Sequence, residues 1–200
     1  MGFRVHADSF EEKMLLSLAQ YKLQRGINST TDDAKLNTIL ASISALVKNY
    51  CGRSFIDYYS VNKVEKFSLK WEQKAVFLSE TPIVNVVTVK ELDEGTNNTY
   101  TTLTSSQFVV DNNMDAIYRV ENGEFEYFPT GINAVEVTYT GGYATTPEDL
   151  KLALVDLTTY YYKDEYKPEL NHSSFTIRNP TSAADFPEHI KRVLDLYRSV

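Results

Sequence analysis

Apolar residues recur every three or four positions toward the two ends of the chain and every second position in its middle. Residues 9 to 25 carry Phe10, Met14, Leu15, Leu18, Tyr21 and Leu23 ahead of Gly26, and predict a first helix. Residues 32 to 51 keep the spacing more strictly: Leu36, Ile39, Leu40, Ile43, Leu46, Val47 and Tyr50 fall on one helical face. Ser29-Thr30-Thr31-Asp32-Asp33 supplies cap residues and carboxylates suited to the positive end of the helix dipole. Gly52 stands where a helix closes through a left-handed residue. From residue 57 the period shortens. Phe67, Leu69 and Trp71 alternate, and residues 75–78, 83–89, 108–110, 116–120 and 125–128 are short β-branched or aromatic runs. Val135, Val137 and Tyr139 alternate with Glu136, Thr138 and Thr140, which predicts a strand with one wet face. Many short strands with turns between them predict an antiparallel β layer.

Gly141-Gly142 ends that region with a tight exit. Thr146 then caps a helix, Pro147 fills its first turn where a missing donor costs nothing, and Leu150, Ala153, Leu154, Leu157, Tyr160 and Tyr161 form its apolar face. Residues 169 to 184 are polar, contain Asn179-Pro180, and read as a long loop. A last helix opens at Phe186-Pro187-Glu188 and puts Ile190, Val193, Leu194 and Tyr197 on one face. The expected fold is therefore α+β, a helical bundle core with an inserted antiparallel β subdomain. Residues 1–56 and 143–200 would build the helical core, the latter also carrying a docking segment, and 57–142 the insertion.

Composition narrows the function. A chain of 200 residues can bury enough surface to fold without a metal or disulfide, and its single cysteine, Cys51, excludes an intrachain disulfide. No run approaches the ~20 apolar residues of a membrane helix, and the first eight residues lack a secretory core, so a reducing cytoplasm is the expected place of synthesis. Twenty Lys and Arg against 27 Asp and Glu give −7. That balance weighs against gripping nucleic acid, which needs clustered cations, though not against letting DNA pass.

Reactive chemistry is sparse. His6, His172 and His189 share no ligand spacing, and neither a phosphate-binding glycine loop nor a nucleophile elbow occurs. A Cys51 thiolate would be favoured beside Arg53, but a small apolar residue at a helix end is the simpler reading. Asp156, Asp164 and Glu165 read as a solvated face. Tyr160, Tyr161, Tyr162 and Tyr166 lack the interleaved cations of a base-stacking surface and fit half-buried tyrosines at a packing or subunit contact. No catalytic residue, metal or cofactor is expected. A ligand-binding module or hydrolase, the alternative class, would show clustered His, Asp or Ser with oxyanion-hole glycines, and the chain has only eight glycines.

Two segments are more specific. One is Thr31-Asp32-Asp33-Ala34-Lys35-Leu36, a helix, then Tyr50-Cys51-Gly52-Arg53-Ser54-Phe55; the other is Val137-Thr138-Tyr139-Thr140-Gly141-Gly142-Tyr143, then Thr146-Pro147-Glu148-Asp149-Leu150 and a helix ending in tyrosines. With Leu78-Ser79-Glu80-Thr81-Pro82-Ile83 and the closing Phe186-Pro187-Glu188-His189-Ile190…Leu194…Tyr197-Arg198, this order resembles the head–tail connector, or adaptor, family of tailed double-stranded DNA phages. The β region from Asn62 to Phe128 is longer than compact family members need.

The resemblance implies a non-enzymatic virion neck protein, assembled in the host bacterial cytoplasm. About a dozen copies would form a ring, each contact pairing two different faces. The ring would join the portal protein to a downstream neck or tail protein, let DNA through without sequence-specific binding, and touch no membrane. It also implies docking by C-terminal residues, here Phe175, Ile177, Arg178, Ile190, Leu194, Tyr197 and Arg198. Phe175 and Ile177 alternate as in a strand that could add to a neighbour. Tyr160, Tyr161, Tyr162 and Tyr166 are the candidate subunit contact, and Gly52, Gly141 and Gly142 the structural turns. A head-closure or tail-completion protein is the alternative in the same class; such proteins are typically small β barrels, and the two long amphipathic helices flanking the strands argue against it.

Overall fold

The computed structural model describes residues 13–93, 95, 99–166 and 186–198. Helices α1 (Leu18–Arg25) and α2 (Asp33–Cys51) precede the strands, and α3 (Glu148–Tyr166) and α4 (Glu188–Asp195) follow them. The strands are β1 (Lys63–Leu69), β2 (Ala75–Phe77), β3 (Ile83–Leu92), β4 (Tyr100–Thr102), β5 (Phe108–Asp111), β6 (Ala116–Glu121), β7 (Glu124–Phe125) and β8 (Gly131–Gly141). Every pairing is antiparallel, so the chain is α+β.

The single β layer expected from the alternation is in fact two sheets. One runs β1-β8-β3-β4; the other runs β2-β6-β5, with β7 on β6. Strands β3 and β8, 10 and 11 residues long, are the spine of the first sheet. Leu69, Val76, Val89, Ile117, Phe128, Val135, Val137 and Tyr139 form a buried cluster drawn from both sheets. Arg119 on β6 links them electrostatically, its Nε donating to Glu91 Oε1 on β3 at 2.8 Å. Burial raises the Glu91 carboxyl above the usual range, and Arg119 opposes the rise.

The helices have their own core. Leu36, Ile39, Leu40, Ile43 and Val47 of α2 pack with Leu150, Leu154 and Leu157 of α3, Ile190 and Leu194 of α4, and Leu15, Leu16 and Tyr21 near the N-terminus. The described residues thus form one hydrophobic cluster among the helices and one between the sheets.

The first helix is shorter than its pattern. Residues 9–12 lie outside the described residues, and 13–17 are not helical; α1 starts at Leu18 behind a Ser17–Gln20 capping box. Leu15 and Leu16 are buried as a non-helical strap whose backbone is held from three sides. Lys13 N donates to Asp57 Oδ1 (3.1 Å), Leu15 N to Ser44 Oγ (3.1 Å), and Thr146 Oγ1 to the Leu15 carbonyl (2.7 Å). Leu23, assigned to the apolar face, is exposed because only Tyr21 of α1 is turned inward. Trp71 is also exposed: the register shift between Phe67 and Leu69 ends the alternation, and β1 stops before it. Of the run 125–128, only Phe125 is in a strand; Phe128 makes an isolated bridge to Gln73.

Candidate functional site

The helical and β clusters meet where α2 ends and β8 exits. Helix α2 closes at Gly52, whose φ of 69° is left-handed and whose N–H donates to the Lys48 carbonyl. The chain then turns through Arg53, Ser54 and Phe55, the last also left-handed at φ 67°. Strand β8 leaves between this turn and residues 80–82. Gly141 N donates to the Tyr58 carbonyl (3.0 Å), Gly142 N to the Pro82 carbonyl (2.9 Å) and Tyr143 N to the Phe55 carbonyl (2.7 Å). A Cβ on Gly141 would lie 2.2 Å from the Glu80 carbonyl oxygen, and one on Gly142 2.1 Å from the Phe55 carbonyl oxygen. The glycine pair is therefore required by close backbone approach on both sides, and Gly142 additionally by its φ of 94°.

Two buried acids fix the same junction. Asp57 accepts from Lys48 Nζ at 2.6 Å, and that ammonium also donates to the Lys13 carbonyl. Glu80 takes Ser54 N on both carboxylate oxygens, at 2.9 and 3.0 Å, with Lys63 Nζ 3.3 Å away. The Glu80 N–H donates to the Tyr139 hydroxyl, which donates to Glu65 (2.7 Å). Burial and that carboxylate both push the Tyr139 phenol far up. Each charge has a counter-charge or a backbone donor, so these groups hold the layers together.

Arg53 is different. Its guanidinium is packed between aromatic rings, with Cζ 5.2 Å from the Phe55 centroid and 5.7 Å from that of Tyr143. Tyr197 lies edge-on to both rings. Its hydroxyl donates to Asp149 at 2.7 and 2.8 Å, and burial followed by that bond raises the phenol well above its usual value. Tyr50 donates to Asp195, which raises its own phenol, and Arg198 lies over the Tyr50 ring. Cys51 is fully buried, and desolvation pushes its thiol up to about 12, Arg53 opposing. It packs as an apolar residue, with Sγ donating weakly to the Leu194 carbonyl at 3.6 Å.

The predicted docking residues separate. Ile190 and Leu194 are buried in the helical cluster, so the apolar face of α4 is covered by the chain's own α2 and α3; this corrects their assignment to docking. Tyr197 is half-buried and Arg198 exposed. Phe175, Ile177 and Arg178 lie outside the described residues. Tyr160 is 38% exposed and Tyr161 half-buried against it, rings 5.3 Å apart. Tyr162 donates to Asp32 Oδ2 at 2.8 Å, tying the end of α3 to the start of α2. Tyr166 falls in the last residues of α3.

Sequence reasoning missed the Lys48–Asp57 pair and Glu80, because charged residues in an amphipathic pattern read as solvated. It also missed an aromatic surface on the second sheet. There Phe77, Phe125 and Tyr127 are exposed, and Lys74 Nζ sits 4.9 Å from the Tyr127 centroid. His189 is exposed, and among the described residues no three His, Cys, Asp or Glu side chains converge as a metal site. No helix of the described residues is long and apolar enough to cross a membrane.

The described residues form a helix-flanked pair of antiparallel sheets, held through polar and backbone contacts and closed by a short terminal helix. The model of the "Head completion protein" family matches residues 14–200, and the chain belongs to that family. It is 23% identical over 190 residues to the head completion protein of Escherichia phage T5, covering 93% of this chain and 99% of that one. Its fold is similar to a chain in the neck of an empty gene transfer agent particle solved with C6 symmetry, at TM-score 0.56 and 19% identity over 93% of this chain and 90% of that chain. A chain in the virion of a native gene transfer agent particle matches equally, at TM-score 0.56.

Proposed function

We infer that this chain is a structural, non-enzymatic neck protein of a tailed phage or phage-like particle. About a dozen copies form a closed ring of head-to-tail contacts. The ring joins the portal of the filled head to the next neck or tail protein and lines part of the DNA channel. The observation that carries the reading is family membership across residues 14–200. The likeness in fold to a chain of a neck solved with C6 symmetry supports a ring. Residues 1–56 and 143–200 act as the helical core, with docking carried by the C-terminal part through Phe175, Ile177, Arg178, Tyr197 and Arg198. Residues 57–142 act as the β insertion, and Tyr160, Tyr161, Tyr162 and Tyr166 face a neighbouring subunit. Assembly takes place in the bacterial cytoplasm, and the mature location is the virion neck.

The test is addition of the purified full chain to cognate heads that lack it. Native mass spectrometry of the chain with isolated portal should show a multi-copy complex, and electron microscopy should show a new ring beneath the portal. Monomers that stay unbound in the presence of portal would overturn the reading.

A further inference from the structure

In the order β2-β6-β5, strand β5 pairs with β6 on one side, and among the described residues no strand pairs with it on the other. The Val120 N–H donates to the Gln107 carbonyl. In this antiparallel register residues 107, 109 and 111 therefore bond to β6, and the backbone groups of Phe108 and Val110 point outward from the edge. Such an edge is a template for one more strand. Beside it, the outward face of the sheet is hollowed into a groove of about 730 Å³. Val109, Tyr118 and Phe125 line it, with the turns at Asn112-Asn113 and Gly123 bounding it. Val109 is 51% exposed and Phe125 60%, so its apolar lining is uncovered. The rim carries Asp111, Glu124 and Glu126, against Lys74 over the Phe125 ring.

The chain holds a segment of matching chemistry. Acids outnumber bases 27 to 20 overall, yet residues 170–184 contain no acid and carry His172 and Arg178. Phe175 and Ile177 alternate with Ser174 and Thr176, and Pro180 follows, the pattern of a short strand with one apolar face. An acidic rim around an apolar groove suits a segment that brings two apolar side chains, positive charge and no negative charge. Length allows the segment to leave its own copy. Tyr162 ties the end of α3 to Asp32 at the start of α2, and the Phe186 ring packs edge-on to Tyr50 near the end of α2. These anchors are therefore about one α2 length apart, 19 residues or about 28 Å. Thr176 stands ten residues from both Tyr166 and Phe186. That is about 33 Å of extended chain each way, so it can lie about 30 Å off the line joining the anchors. Such a reach is about three helix diameters, enough to cross a contact between neighbouring copies.

We propose that residues 173–178 of one copy add as a strand to the β5 edge of the adjoining copy, with Phe175 and Ile177 in its groove. The proposal rests on the ring reading above and deepens it by naming two different faces that meet in the head-to-tail contact.

Introduced cysteines test this, because Cys51 is fully buried and does not compete for oxidation. Full-length Val109→Cys is mixed with full-length Phe175→Cys, Thr176→Cys or Ile177→Cys and added to cognate heads that lack the chain. Rings are counted by electron microscopy, the sample is oxidised, and linked peptides are identified by mass spectrometry. The expected result is a disulfide from position 109 to position 175 or 177 of another copy. It should be at least fivefold more abundant than the link to position 176, whose side chain lies on the opposite face of a strand. Separately, Val109→Lys should melt as wild type does, its position being exposed, and should reduce rings at least tenfold. Val109→Lys rings at wild-type numbers, with no link in the cysteine mixtures, would overturn the contact and leave the ring reading standing. Equal linking at 175, 176 and 177 would overturn the strand pairing. A chain carrying both Val109→Cys and Ile177→Cys that links to itself as a monomer would place the segment in its own groove and overturn the exchange between copies. Val109→Lys rings that close but fail to seat on the head would give the groove to another neck protein and overturn its assignment to a copy. Absence of rings from wild type would sink the ring reading and this contact with it.

Discussion

Glycine 142 shows how far single residues were readable. A Gly-Gly pair after an alternating strand announces a tight exit, and the exit is there; what the pair must avoid is the backbone of residues 55 and 80, which are remote in sequence. Gly142→Ala combines a left-handed φ with a Cβ 2.1 Å from a carbonyl oxygen, so the backbone itself has to move. The substitution is expected to cost about 2 kcal/mol or more, read as a fall of several degrees in melting temperature. Gly52 is left-handed too, with φ 69°, so Gly52→Val should cost roughly 1 kcal/mol. Equal, negligible shifts for both would contradict the packing of the junction. Lys48, Asp57 and Glu80 were not readable, since nothing local distinguishes a buried ion pair from a solvated one until the turn at 53–58 brings the partners together.

Helix α4 was legible as an element and misjudged as a surface. Its spacing of Ile190, Val193 and Leu194 states that an apolar partner exists but not whether that partner is the chain or another protein. The structure answers with α2 and α3: Leu194 is fully buried and its carbonyl accepts from Cys51. Leu194→Ala should therefore cost about 2–5 kcal/mol, and a chain ending at Pro168 should melt well below wild type; equal melting temperatures would return α4 to docking. The two-sheet arrangement was hidden for a related reason. Alternation gives each strand a wet face and a dry face, yet says nothing of which strands share a sheet. The register places Glu136 of β8 between Lys66 of β1 and Lys90 of β3, at 3.1 and 2.8 Å. The bond from Lys90, then that from Lys66, holds the Glu136 carboxyl below its usual range against an opposing burial effect. A carboxyl lowered in the folded state stabilises fully above its unfolded value of about 4.3 and loses that contribution as pH falls through the lower folded value. Glu136→Gln should accordingly melt below wild type at pH 7 by an amount that shrinks toward pH 3. A constant difference across that range would show the triad to be electrostatically inert.

Net charge was countable from the sequence, but the placement of the cations was not, and placement decides how the protein meets DNA. Lys22 pairs with Asp33, Arg25 with Asp156, Lys48 with Asp57, Lys63 with Glu80, Lys66 and Lys90 with Glu136, Arg119 with Glu91 and Glu121, and Lys151 with Glu148. A cation already paired within the fold would have to give up its carboxylate to neutralise a phosphate, and the surplus acids repel the backbone over the ~8 Å that salt leaves unscreened. A channel wall needs this property, because a ring that gripped its cargo would obstruct passage during ejection. The purified chain should therefore leave duplex DNA unshifted in a gel or anisotropy titration at about 0.15 M salt, and any binding recovered at lower salt should be weak and independent of sequence. Tight binding whose logarithm falls steeply with the logarithm of salt concentration would mean that several phosphates are being neutralised at once. Such binding would have to come from cations outside these pairs, and the channel lining proposed above would have to be assigned to another protein of the neck.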